Sequence, residues 1–198
     1  MAVADILMSG AKVYYAPVGE SIPDETTVAY DASWGGNWVD LGYTLSPLQV
    51  SYNRSLFSLD VQQRAGKIKS WVVDESVIAN TTLAEMTGAN LALALNGSNT
   101  STAAGASQKG YHDILFGGKR SITHYAAGFE GYREDSAGDL QPIRLFFFKA
   151  TIVASGSIPL DKSSPTGIPI TFESLVDPTA TEGEGIGRWQ VVHSPATA

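Results

Sequence analysis

The stretch Ile143–Ala154, with the sequence IRLFFFKATIVA, decides the fold class of this chain. In an extended strand successive side chains point to opposite faces, and here both faces are apolar. One face would carry Ile143, Leu145 and Phe147, and the other Phe146, Phe148, Ala150 and Ile152. Such a strand is typical of a position covered on both sides. The sequence therefore predicts a buried central strand and a mainly β fold around it.

Shorter segments on either side of this stretch alternate apolar and polar residues, which is the period-2 pattern of half-buried strands. In Leu48–Asn53, for example, every second residue is apolar. We expect about seven or eight strands in all. They would lie over Ala11–Val18, Leu48–Asn53, Ser55–Gln63, Lys67–Ala79, Ser121–Tyr132, Ile143–Ala154, Ile168–Glu173 and Arg188–Val192.

One helix is expected, over residues 82–95. Thr82 and Glu85 fit a capping box, in which the hydroxyl and the carboxylate satisfy free backbone amides at the helix start. Asn96 and Gly97 would end the helix, because glycine readily takes the left-handed conformation that follows a last turn. The small polar residues of 97–110 predict a flexible linker.

The chain is expected to form one core. At 198 residues it can bury roughly 70% of its unfolded surface, enough for one domain. We assign residues 1–33 to an acidic N-terminal arm that contains the first strand. Residues 34–192 form a single β-rich domain, and residues 193–198 a C-terminal tail.

Composition excludes several classes of protein. The net charge is −7, from 20 acidic and 13 basic residues, and there is no cysteine. Without cysteine the chain has no disulfides and no thiolate metal sites. With so few basic residues it is a poor candidate for tight nucleic-acid binding, because that binding depends on Lys and Arg side chains that neutralise phosphates. No apolar run approaches the ~18 residues of a membrane span. The first ten residues do not resemble a signal peptide, so we expect synthesis in a cytoplasm.

The low fraction of charged residues suggests that part of the surface is covered. Only 17% of the residues are charged, against about 25% in an ordinary soluble domain. Contacts between copies of the same protein would explain this composition. A β protein that simply prefers serine and threonine would have it too, and composition alone does not separate the two.

No pattern of catalytic or metal-binding residues is visible. The three histidines, His112, His124 and His193, are far apart and form no metal-binding pair. The adjacent acids Asp74-Glu75 and Glu134-Asp135 would point to opposite faces of a strand, which argues against a paired-carboxylate site. We therefore predict no catalytic residues, no cofactor and no metal.

The order of features along the chain resembles a known family. An aromatic segment is followed by strands, a capped helix, a long aromatic strand, a Pro-containing strand and a short last strand. The segments that carry the resemblance are Trp38–Tyr43 (WVDLGY), Thr82–Leu95, Arg144–Val153 (RLFFFKATIV), Ile168–Pro178 and Gly187–Val192. Over roughly residues 30–192 this order is similar to that of the major tail (tail tube) proteins of long, non-contractile-tailed bacteriophages.

The resemblance implies a β-sandwich or barrel-like tail-tube fold with one flanking α-helix. Copies would form hexameric rings in which the inner strands join one ring-spanning β-barrel, and stacked rings would form the tail tube that conducts DNA into the host. The implied partners are copies of the chain, the tape measure, tail terminator and distal tail proteins, and DNA that passes without specific binding. The implied location is the virion tail, after synthesis in the bacterial cytoplasm, with no membrane partner.

Asp60, Asp74 and Glu75 are the candidates for residues that face the lumen of such a tube. A negative lumen repels the phosphate backbone, so DNA would pass without adhering. These carboxylates lie in segments that we expect to be strands with one polar face.

Arg54, Arg64, Lys67 and Lys69 are the candidates for contacts between rings. They are four of the first five basic residues of the chain, after an arm rich in acids. They could therefore meet the acidic arm of the next ring. Each such exposed ion pair contributes only about 0–1 kcal/mol, so assembly would depend on their number and on strand pairing.

A second reading of the same sequence is a virion adhesin or a carbohydrate-binding β-sandwich. Trp34, Trp38 and Tyr43 would then form an exposed aromatic platform for a sugar. That reading predicts a discrete monomer, whereas a tube protein would polymerise as its concentration rises. An unrecognised hydrolase and a related tail-assembly subunit are the remaining alternatives.

Overall fold

Ten strands and one short helix make up the computed structural model, which describes residues 10–135 and 138–192. Eight strands form one antiparallel sheet with the order β2-β1-β7-β8-β9-β4-β3, in which β10 also pairs with β8, and β5 and β6 form a separate ribbon. The helix α1 spans Gly88–Ala94. The strands are β1 (Lys12–Pro17), β2 (Val39–Asp40), β3 (Gln49–Asp60), β4 (Lys67–Leu83), β5 (Ser98–Thr102), β6 (Tyr111–Leu115), β7 (His124–Glu134), β8 (Leu140–Ala154), β9 (Ile168–Ser174) and β10 (Gly187–Val191). The prediction of a mainly β fold with one helix is confirmed.

Strand β8 is the centre of the sheet and is covered on both faces, as its sequence predicts. Leu145 and Phe147 belong to the main core, whereas Phe146 packs with Tyr14 and Trp34 on the opposite face. The predicted alternation is wrong beyond Phe147, because Ala150 and Ile152 lie in the same core as Leu145. The register with β7 shifts between Tyr125 and Ala127, and this irregularity exchanges the two faces of the strand.

Helix α1 begins six residues later than predicted. Thr82 and Leu83 continue β4, where they pair with Pro169 and Ile168 of β9, and Leu83 is fully buried. The helix starts instead after Thr87, whose hydroxyl accepts a hydrogen bond from the backbone N–H of Asn90 at 3.1 Å. A capping sequence therefore yields to strand pairing where the same residues have a buried place in the sheet.

The predicted linker over 97–110 is also partly wrong. Residues Ser98–Thr102 form β5 and pair in register with Tyr111–Leu115 of β6. Small hydroxyl side chains hide this strand in the sequence, because they provide no apolar face for a periodic pattern to show. The ribbon packs beside α1: a Cβ on Gly88 would lie 2.8 Å from the ring of His112.

The first strand of the N-terminal segment is part of the main sheet. β1 pairs with β2 on one side and β7 on the other, and Val13 is fully buried in the core. Residues 22–34, which we call the strap, then cross the face of the sheet opposite the main core. Residues 1–9 of the predicted arm and the tail 193–198, with His193, lie outside the described residues.

Candidate assembly surfaces

The hairpin formed by β3 and β4 has two open edges. The sheet order ends at β3, whose one strand partner among the described residues is β4. Strand β4 pairs with β9 only from Ile78 to Leu83, so its part from Lys67 to Val77 has β3 as its one described partner. An open edge carries unpaired N–H and C=O groups and is ready to pair with another chain.

Both faces of this hairpin are exposed as well. Tyr52 is 52% exposed, Phe57 55% and Val73 69%. A two-stranded ribbon is at best marginally stable alone in water, and contiguous exposed apolar surface marks an interaction site. The hairpin therefore has the properties of a segment that another chain completes.

An aromatic pair lies near the end of the hairpin. The rings of Phe57 and Trp71 are cross-strand neighbours and stack with their centroids 5.8 Å apart. The ammonium group of Lys69 lies 5.0 Å from the centre of the Trp71 ring, a cation–π contact. Residues 57–71, which we call the tip, thus present aromatic and basic groups together.

A three-residue latch joins the strands nearer the body. Tyr52 donates a hydrogen bond to Glu75, and Arg54 forms an ion pair with the same carboxylate at 3.2 Å. The tyrosine hydrogen bond holds the pKa of Glu75 below its usual range, and the charge and hydrogen bond of Arg54 act in the same direction. The latch fixes the register of β3 against β4 on the face that continues into the core.

On the opposite face of these strands most side chains are small and polar. Ser55 lies across from Asp74, and Asn53 across from Ser76. The register continues through β9 to β8, where Glu173 pairs with Thr151. We call this surface the polar wall, although it includes two apolar residues; its members are Ser51, Asn53, Ser55, Asp74, Ser76, Ile78, Asn80, Thr151, Val153, Thr171 and Glu173.

The structure separates the three acidic residues that were predicted to face a lumen. Asp74 lies on the polar wall, whereas Glu75 lies on the other face with Arg54. Asp60 is at the end of β3, across from Lys67. Glu173 also lies on the polar wall and is not among the predicted lumen residues. Its alternation with the apolar residues of β9 is visible in the sequence.

The four predicted basic residues lie on one element. Arg64, Lys67 and Lys69 are all in the tip, and Arg54 is in the latch, where Glu75 already holds its guanidinium. Three of the four are thus placed together at the far end of an exposed hairpin. Their sequence clustering predicts this, because a hairpin turn keeps near neighbours close.

Two adjoining cavities separate the hairpin from β10. Their volumes are about 690 and 550 Å³, and Val50, Leu145 and Trp189 line both. Strand β10 pairs with one half of β8, and β9 pairs with the other half. This arrangement leaves a gap between β10 and the part of β4 that does not pair with β9, residues 67–77. We call the joined space the apolar groove. Its exposed rim consists of Val50, Tyr52, Val72, Val73, Val176 and Trp189.

A buried ion pair holds the strap on the other side of the sheet. Nε of Arg144 donates to Oε1 of Glu130 at 3.0 Å, and both side chains are fully buried. Another nitrogen of Arg144 donates to the carbonyls of Val28 and Ala29, while Glu130 accepts from the backbone of Asp31. Burial raises the pKa of Glu130, and the hydrogen bond and charge of Arg144 oppose that rise. Arg144 of β8 and Glu130 of β7 thus each hold the strap by hydrogen bonds to its backbone.

The strap buries one of the aromatic residues proposed as a sugar platform. Trp34 stacks on Tyr14 with centroids 4.0 Å apart and contacts Phe146, and its indole N–H donates to Glu130 at 3.4 Å. Trp38 is half-buried against it, and only Tyr43 is fully exposed. These three rings therefore do not form an open platform.

Across 10–135 and 138–192, no group of three His, Asp, Glu or Cys residues is placed to hold a metal ion. No helix in those ranges is long and apolar enough to cross a membrane.

The chain has few charged residues, and its β3–β4 hairpin has open edges and two exposed faces. These features are typical of proteins whose sheets are completed by association with other chains. The sequence matches the phage tail tube protein family over residues 4–184, and the chain belongs to that family. It is a structural component of the phage tail, as the resemblance of its sequence predicts. No curated protein matches the chain.

Proposed function

We propose that this protein forms hexameric rings that stack into the tail tube, the conduit through which DNA is ejected into the host. The observation that carries this proposal is the β3–β4 hairpin, whose edges and faces no other part of residues 10–135 and 138–192 covers. Pairing between copies would cover the hairpin and remove the open edges.

Ring closure would involve the free edge of β3. This strand has 12 residues and offers its outer backbone groups along its whole length. If it pairs with a strand of the next copy, the four strands β3, β4, β9 and β8 become one segment of a barrel that spans the ring. A closed barrel has no edges, which accounts for how a long exposed strand is tolerated.

The polar wall is the best candidate for the lumen surface. Its charged members are the acids Asp74 and Glu173, and its other side chains are uncharged, so a barrel lined by it would be negative. Such a surface repels phosphates and offers no counterion-releasing contacts to hold DNA. Asp74 is thereby the strongest of the three predicted lumen residues, with Asp60 and Glu75 placed at the tip and in the latch.

The other proposed partners follow from the ends of such a tube. The tape measure protein would occupy the lumen, and terminator and distal tail proteins would contact the first and last rings. Assembly would occur in the bacterial cytoplasm, where the subunit is made. The tip, with Arg64, Lys67 and Lys69, and Arg54 in the latch are the proposed basic contacts between rings.

Electron microscopy of the purified protein tests the proposal. We expect hollow tubes of uniform width with six-fold cross-sections as the concentration rises. The variant Val73→Asp places a charge on the exposed hairpin and should remain monomeric, whereas Leu160→Asp, at an even more exposed position in a loop, should still form tubes. A wild-type protein that stays monomeric at every concentration would exclude the tube.

A further inference from the structure

Within residues 10–135 and 138–192, no element covers the apolar groove. Valines 50, 72, 73 and 176 and Trp189 are all at least one third exposed around it, and Trp189 itself is 59% exposed. Helix α1 contacts β8 and β9 at the other end of the sheet. Exposed apolar area of this extent is unusual on a protein that works as a monomer.

We propose that the tip of one copy docks in the apolar groove of a second copy. The inference rests on the proposed function, and it names the surface that receives the hairpin. Phe57 and Trp71 would enter the groove beside Trp189, and the basic side chains of the tip would remain at its rim. Aromatic residues in a pocket with a polar rim are the usual anchors of a protein interface.

The tip cannot fill the groove of its own chain. Val50 lines the groove and Phe57 begins the tip, seven residues further along the same strand. At about 3.3 Å per residue the two are roughly 23 Å apart, and the paired strand β4 keeps the hairpin extended. A tip that occupies the groove must therefore belong to another molecule.

Charge complementarity favours a copy of the same chain. The tip carries Arg64, Lys67 and Lys69 against the single acid Asp60. The groove is bordered by Asp74 and by the loop 176–186, in which Asp177, Glu182 and Glu184 are acidic and no residue is basic. Opposite charges at a rim steer association and fix its register more than they add affinity.

This contact joins different surfaces of the two copies. Such a head-to-tail contact can be repeated indefinitely, so it produces rings or open stacks rather than a closed two-fold dimer. A docked tip would also cover Val73 and Trp189, which are otherwise exposed. The single contact thus accounts for two exposed surfaces.

Disulfide trapping tests the proposal directly, because the chain contains no cysteine. Ser70→Cys places a thiol in the tip, and Val176→Cys places one at the groove rim. We expect the two variants, mixed and oxidised after tube formation, to give a mixed dimer as the main cross-linked product. Ser98→Cys, in the ribbon, replaces Val176→Cys in the matched control and should give only a trace of dimer with the same tip variant.

A charge exchange supplies the second arm. Lys67→Glu with Lys69→Glu should reduce the yield of the cross-link several-fold, and adding Glu182→Lys with Glu184→Lys to the groove variant should restore it. Tubes that form without any cross-link between positions 70 and 176 would overturn the docking while leaving the tube function intact. A cross-link from position 176 to a cysteine placed at residue 4 instead would show that the N-terminal segment occupies the groove, and would also overturn it.

Discussion

Arg144 of β8 and Glu130 of β7 form a fully buried ion pair that lies under the strap rather than in the main core. They are direct cross-strand neighbours, and the row continues to Lys12 of β1 and Gln190 of β10. The strap supplies carbonyls for the arginine and N–H groups for the glutamate. Removing one charge would therefore leave the other buried without its partner, a costly arrangement.

Arg144→Met should destabilise the fold by about 3–5 kcal/mol, the usual cost of breaking a buried pair. The reason is that Glu130 keeps its charge, or must take up a proton, in a place without water. Chemical denaturation followed by tryptophan fluorescence measures this change, and Trp34 reports on the strap because it contacts Glu130.

The double variant Glu130→Leu/Arg144→Met is the control. It leaves no unpaired charge, so it should be less destabilised than Arg144→Met alone, although the strap then loses hydrogen-bond partners. The stability lost in the double variant is compared with the losses in the single variants Glu130→Leu and Arg144→Met. If it equals their sum, the two residues do not act as a pair.

Gly128→Ala should loosen the strap by overpacking. A Cβ at Gly128 would lie 2.3 Å from one ring carbon of Trp34 and 3.1 Å from the ring of Trp38. Overpacking of this kind typically costs about 1–3 kcal/mol. Gly105→Ala is the matched control, because no atom lies within 4 Å of its added Cβ. Equal unfolding midpoints for both variants would show that the indole of Trp34 is not held against β7.

Tyr52→Phe should raise the pKa of Glu75 toward its usual range. The hydrogen bond from the Tyr52 phenol is the largest cause that lowers the pKa of Glu75. The latch therefore stabilises the hairpin at pH values above the usual pKa of a glutamate, and this stabilisation is lost as the pH falls through the lowered pKa. An NMR titration of the glutamate side chain, below the concentration of tube formation, measures the shift. A wild-type Glu75 that already titrates in the usual range would contradict the latch.

Most strands follow from sequence period alone, and the errors have physical causes. The helix start at Thr82 was wrong because pairing with Pro169 gives that segment a buried position in a strand, which no local pattern reveals. Strand β5 was missed because its serines and threonines show no apolar face. Only in the first place does a partner distant in sequence decide the structure, because β5 pairs with its near neighbour β6.

The assembly surfaces were predictable only in part. The basic cluster of the tip is visible in the sequence, but the groove depends on how β9 and β10 divide β8 between them. The alternation in Leu48–Asn53 predicts a buried face, yet Val50 and Tyr52 are exposed in the single chain. A period-2 pattern predicts that one face of a strand is covered, and it does not say which molecule would provide the cover.

If the polar wall lines the lumen as we propose, Asp74→Lys should give tubes that retain DNA. The substitution places a cation on the polar wall once per subunit, and cations that neutralise phosphates release counterions and create binding. Wild-type tubes should leave short duplex DNA free in a sedimentation assay, whereas the variant tubes should sediment it at low salt and release it at high salt. Asp113→Lys, on the exposed β5–β6 ribbon, makes the same charge change away from the wall. DNA that its tubes retain should be digested by added nuclease, whereas DNA inside the Asp74→Lys tubes should be protected. Equal digestion with both variants would place Asp74 on the outside of the tube.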